Sequence, residues 1–192
     1  MSPRTQEANE ALHGERRATI LEKALIVFVE KGFGGTRIQE IAERCSMSYG
    51  LVYHYFPTRD AIFTTLVDMA LGAAKTLIQS LPENTSSEAL GSFVGFAVSG
   101  PSPLYFALIV EALTKQGVPP ELAARTRETV MGFASALASV KRRQFPSDAD
   151  GIAESLLAIL LGTSIMKICG VSDGNFAADA AKKIAFPSEF ST

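Results

Sequence analysis

Residues 48–56, SYGLVYHYF, gather Tyr49, Tyr53, Tyr55 and Phe56 around His54, one of only two histidines in the chain. Phenol and imidazole groups donate hydrogen bonds without carrying a full charge. Aimed at phosphate oxygens, such donors fix position and register and do not read bases. Other chemistry is poorly provided for. Catalysis needs a nucleophile beside a base, paired carboxylates or metal ligands. Here His13 stands far from His54 in sequence, no Cys/His or His/Glu cluster has metal-ligand spacing, and no Gly-rich phosphate loop occurs. No enzymatic activity, cofactor or metal is therefore expected. Cys45 and Cys169, far apart, read as two reduced thiols.

The elements that must carry this aromatic stretch are helices, because apolar spacings of three and four dominate and no strand-like alternation has useful length. Residues 1–14 read as a loose, disordered tail. A first helix over 15–31 carries the stripe Ile20, Leu21, Ala24, Leu25 and Phe28, and Gly32 stops it. Thr36 with Gln39 reads as a capping box for a second helix over 36–43, whose inner face is Ile38, Ile41 and Ala42. Ser46 and Met47 make the break, and Ser48 caps a third helix that Pro57 ends. Thr58 caps a fourth, opened by Asp60 and running to about residue 80.

Two short helices joined by so short a turn form a helix-turn-helix candidate, in which the second helix lies in the DNA major groove. Val52 and Phe56 then face inward, and Tyr49, Gly50, Tyr53 and His54 face outward. A glycine inside a helix costs about 1 kcal/mol relative to alanine. Gly50 therefore asks for a steric reason, and close approach to a groove wall supplies one.

Charge adds little. The 192 residues carry a net charge of -2, and residues 1–60 hold eight Lys/Arg against eight Asp/Glu. Residues 36–59 reach only +1, with Arg37, Arg44 and Arg59 against Glu40 and Glu43. A chain that is 47% hydrophobic and 20% charged is globular, with no apolar run suited to spanning a bilayer. A soluble, cytoplasmic protein without membrane contact is expected.

Further helices are expected from residue 85 onward, opened by Thr85-x-x-Glu88, by Pro119 and Pro120, and by Ser147 or Asp148. The fold class is all-α with about nine helices. A helix-turn-helix domain over 15–58 precedes a helical domain over 59–192. Phe63, Leu66, Phe93, Phe96, Phe106, Ile109, Met131 and Met166 have two readings, core or wall of a pocket, with Tyr105, Glu111, Thr114 and Ser135 the polar candidates. Ile152, Leu156, Ile159, Leu160 and Thr163, with Phe176 and Ala180 beside them, suit packing against the same helices of a second copy.

The stretch over residues 20–63 resembles the DNA-binding domain of TetR-family transcriptional regulators. The family's ending is carried by Tyr53-His54-Tyr55-Phe56-Pro57, followed by Thr58 and Arg59. The resemblance implies that Thr36 and Arg37 touch phosphate, that Ser48 caps and contacts phosphate, and that Tyr53, His54 and Arg59 hold the backbone. Tyr49 and Leu51 stand where the family usually has Lys and Thr, and Ser46 replaces a turn glycine. Base preference is thereby shifted, since Leu51 suits a thymine methyl. The resemblance also implies a homodimer formed by the last two helices, a small-molecule effector in the second domain, and an operator duplex as partner. Repression relieved by a small, mostly apolar effector is the expected function. A helix-turn-helix that binds another protein is the rival reading.

Overall fold

The structure is a computed structural model that describes residues 3–79, 86–98, 102–142, 149–171 and 176–185. Among these residues it contains nine α-helices and no strand: α1 Pro3–Gly35, α2 Ile38–Arg44, α3 Tyr49–Tyr55, α4 Arg59–Gln79, α5 Ser87–Ala97, α6 Ser102–Thr114, α7 Pro120–Arg142, α8 Ala149–Ile168 and α9 Phe176–Ala185. The all-α expectation holds. None of the helices described is long and apolar enough to cross a membrane.

Two compact units are present, Met1–Leu66 with Lys115–Pro119, and Val67–Thr114 with Pro120–Thr192. The division falls inside α4, later than the boundary expected at residues 58–59. In the first unit, Phe63 meets Phe28 edge to face at 5.0 Å and Phe33 at a tilt at 4.8 Å between ring centres, while the Phe28 and Phe33 rings lie nearly parallel. Ile20, Ala24, Val27, Ile41, Val52 and Ile62 close around them, all buried.

Several local signals are realised as the sequence suggests. Ser48 Oγ accepts from the Leu51 amide at 3.2 Å, and Thr58 Oγ1 accepts from the Ala61 amide at 3.0 Å. Ser86 caps α5 by accepting from the Ala89 amide at 3.2 Å; Thr85, expected in that role, lies outside the described residues. Two expectations need correction. The segment expected as a tail is helical from Pro3 onward. Thr36 does not cap α2: Arg37 holds the cap position with no side-chain bond. At Gly32 (φ 74°, ψ 169°) the backbone leaves the helix, and the Thr36 hydroxyl donates to the Gly32 carbonyl at 2.8 Å.

Ser46 has φ 54° at the turn between α2 and α3. Left-handed backbone costs an ordinary residue roughly 1–2 kcal/mol, part of which glycine returns through its own greater chain entropy. Ser46→Gly is expected to raise stability by about 0.5–1 kcal/mol, read by chemical denaturation.

In the second unit, α5 packs on α9, and α8 packs on α6, α7 and α9. Phe93, Val94, Phe133, Leu156, Leu160, Ala177 and Ala181 form its core. The Lys167 ammonium donates to the Val98 carbonyl at 2.9 Å, tying the end of α8 to the C-terminus of α5.

The expected partner-facing set needs correction here. Leu156, Leu160 and Thr163 are buried in the unit's own interior, and Ile159 packs against that core. Ala180 is half-buried, and the side chains of Ile152 and Phe176 lie outside the described residues. The exposed residues of α8 are Gly151, Glu154, Ala158, Gly162, Ile165 and Met166. Glu154, Ser155, Thr163, Ser164 and Lys167 are scattered around α8, so no polar face marks which side of it turns inward.

Candidate nucleic-acid interface and cavity

The interface is built on the seven-residue helix α3. Val52 and Phe56 point into the first unit's core, at 0% and 3% exposure. Tyr49, Gly50, Tyr53 and His54 are exposed, and Leu51 is half-buried. The Tyr49 and Tyr53 rings stack with centres 5.9 Å apart and planes inclined by 29°. That contact holds two phenols side by side on the open surface. A tyrosine pair of this kind loses little side-chain entropy when its hydroxyls meet an acceptor, because the rings are already ordered.

A β-carbon built on Gly50 meets no atom within 4 Å. The protein itself therefore gives no steric reason for glycine here. Gly50→Ala is expected to stabilise the first unit by about 1 kcal/mol through helix propensity. The same change is expected to weaken DNA binding about tenfold, if a groove wall comes as close as the glycine allows. Thermal melting and fluorescence anisotropy read the two effects separately.

Two of the expected phosphate contacts are placed elsewhere. Thr36 is 1% exposed with its hydroxyl committed to Gly32, so no phosphate reaches it. The Arg59 guanidinium carbon sits 4.2 Å from the centre of the Phe33 ring, and its Nε donates to Asp60 at 3.2 Å. This half-buried cation is held by a ring and a carboxylate. Arg44 is also engaged: it forms a two-pronged pair with Glu30, at 2.5 and 3.3 Å, which holds its pKa above the ordinary value. Arg37 stays exposed, and Ser48 is exposed with its oxygen capping α3.

One contributor was missed by the sequence reading. The His13 ring lies 4.4 Å from the Tyr55 ring and 6.5 Å from His54, while the Arg17 guanidinium stands 4.6 Å over Phe56. The N-terminal part of α1 thus backs α3. Tyr55 is turned toward α1 and away from the outward pair. An i, i+4 spacing of His13 and Arg17 was the available signal, lost by reading residues 1–14 as a tail. Cys45, next to the turn, has its thiol pKa raised by burial, which keeps it protonated and poorly nucleophilic.

The second unit contains a cavity of about 240 Å³ lined by Met69, Ala70, Ala73 and Ala74 of α4, Phe96 and Ala97 of α5, and Tyr105, Phe106 and Ile109 of α6. Phe96, Tyr105, Phe106 and Ile109 are brought together here as expected. Phe63 and Leu66 lie instead in the core of the first unit, and Phe93 in that of the second. Met131 and Met166 are exposed on α7 and α8. The alanines of α4 were legible only as a helical stripe; small side chains on a stripe are what leave the space.

Residues 20–66 match the family model described as bacterial regulatory proteins, tetR family. The uncharacterized HTH-type transcriptional regulator YuxN of Bacillus subtilis is 39% identical over 54 residues, 28% of this chain and 19% of that protein. An HTH-type transcriptional repressor of Mycobacterium tuberculosis is 37% identical over 54 residues, 28% of this chain and 29% of its own length. The chain thus matches less than a third of the length of either relative. The MbdR regulator of Azoarcus sp. CIB shares the fold, with a TM-score of 0.72 at 21% identity over 88% of this chain and 96% of that one. Residues 20–66, which hold the capped helix-turn-helix, are thus similar to the tetR family of bacterial regulatory proteins, and the chain shares the fold of a solved regulator.

Proposed function

We propose that the protein is a cytoplasmic, ligand-responsive repressor that binds a pseudo-palindromic operator as a homodimer. The observation that carries this reading is the outward face of α3, where Tyr49, Gly50, Tyr53 and His54 are exposed beside a core-facing Val52 and Phe56. The hydroxyls and imidazole hold phosphates, and Leu51 with Tyr49 reads bases. The repressor named among its relatives supports the direction of control. The outward stripe of α8 supports the dimer, because Ala158 and Gly162 allow close approach while Ile165 and Met166 supply apolar area. The cavity beside α4 supports a small effector, which releases DNA by binding one setting of α4 more tightly than the other.

Anisotropy titrations on duplex DNA from upstream of the protein's own gene, run across salt, test the reading. Phosphate contact releases counterions, so affinity is expected to fall steeply with salt. An affinity independent of salt would favour the rival reading, a helix-turn-helix that docks on protein.

A further inference from the structure

The apolar cavity is one of three spaces in series. Ala74, Phe106 and Ile109, which wall it, also wall a space of about 20 Å³. Thr129 and Phe133 close the far side of that space and in turn wall a third cavity of about 440 Å³. The chemistry changes at Phe133. On one side the walls are alanine, leucine and aromatic rings. On the other, Lys75, Gln79, Arg125 and Glu128 line an open, polar chamber.

This polar chamber is rich in donors. Lys75 offers an ammonium and Gln79 an amide, both exposed, and the two cations Lys75 and Arg125 stand with two carboxylates, Glu128 of the lining and Asp68. Arg125 is positioned by Asp68 at 2.7 Å, which occupies one of its donors and leaves the rest of its fork for another acceptor. A carboxylate, which only accepts, matches such a set. The apolar cavity alone, at about 240 Å³, falls below the volume usual for a small-molecule site, roughly 300–1,000 Å³. Along α4, from Met69 to Gln79, the series spans about 15 Å at 1.5 Å per residue.

We propose that the second unit binds a straight-chain monocarboxylate, with its carboxylate at Lys75 and Arg125 and its chain passing Phe133 and Phe106 into the cavity beside Met69. The passage requires those two rings to change rotamer, since they form the common walls. The ligand then shares Arg125 with Asp68, a residue of α4. As the regulating effector, this ligand rests on the function proposed above; as a bound molecule, it does not.

Calorimetry on the full chain without DNA tests it, using hexanoate, octanoate and decanoate below micelle-forming concentrations, with decanol as the uncharged control. Affinity is expected to rise about three- to fourfold per added methylene, the factor for burying one in an apolar site. Decanol is expected to bind at least tenfold more weakly than decanoate. Lys75→Gln, at an exposed position, is expected to weaken decanoate about tenfold and to leave decanol unchanged. The proposal is overturned by decanol binding as well as decanoate, by affinity flat with chain length, or by no binding of any carboxylate. Operator binding by the unliganded protein is measured beside it. If that persists while carboxylates fail to bind, the ligand assignment falls and the DNA-binding reading stands.

Discussion

Replacing Tyr53 and His54 together by alanine is expected to weaken operator binding by two to three orders of magnitude without lowering the melting temperature. Both side chains are exposed, and neither hydroxyl nor imidazole bonds another part of the protein among the described residues. Their removal takes from the folded state only surface ring contacts, Tyr53 on Tyr49 and His54 beside Tyr55 and His13. On DNA, each would give one hydrogen bond to phosphate per protomer. A dimer loses four, and at about 0.5–1.5 kcal/mol each the sum reaches roughly 2–6 kcal/mol, near a thousandfold at the middle of that range. Tyr53→Phe, which keeps the ring and its stacking on Tyr49, isolates the hydroxyl and, with two bonds lost per dimer, is expected to cost about thirtyfold. Anisotropy gives the affinities, and a thermal melt shows that the fold is intact.

The second large effect is expected on the outward stripe of α8. Gly162→Arg puts a long charged side chain at a position where a β-carbon meets nothing within 4 Å, so the folded protomer accepts it. In the proposed dimer the same position is the point of closest approach, and an unpaired charge buried there costs several kcal/mol. Sedimentation is expected to show a monomer at micromolar concentration where the unaltered protein is a dimer. Operator affinity falls with it, since a single recognition helix keeps half of the contacts. Leu160→Ala gives the contrasting result. Leu160 is buried in the protomer's own core, so the change is expected to destabilise by about 2–5 kcal/mol and act on folding first.

What the sequence shows plainly here is whatever depends on local chemistry. Ser48, Thr58 and the breaks at Gly32 and Pro57 set helix ends through bonds and torsions within a few residues, and the structure has them within a residue or two. The inward pair Val52 and Phe56 follows from spacing on an amphipathic helix. What it shows poorly is whatever depends on which of two similar faces turns inside. On α8, Leu156 and Leu160 look as able to meet a partner as Ile165 and Met166, and the packing of α6, α7 and α9 decides. Thr36 failed for another reason. Its hydroxyl had two acceptable uses, a cap on α2 or the carbonyl freed at Gly32, and the positive φ of Gly32 settles the competition. Arg59 likewise found a ring, a partner that spacing does not reveal.

The central claim is that α3 reads DNA from a two-fold dimer. Selection of binding sequences from a random duplex pool tests it most directly. The expected result is a pseudo-palindrome whose half-sites lie one helical turn apart, about 34–36 Å, or a multiple of it, with enrichment lost in the Tyr53/His54 double variant. Recovery of no enriched sequence, or of a single half-site without its mate, would contradict the account.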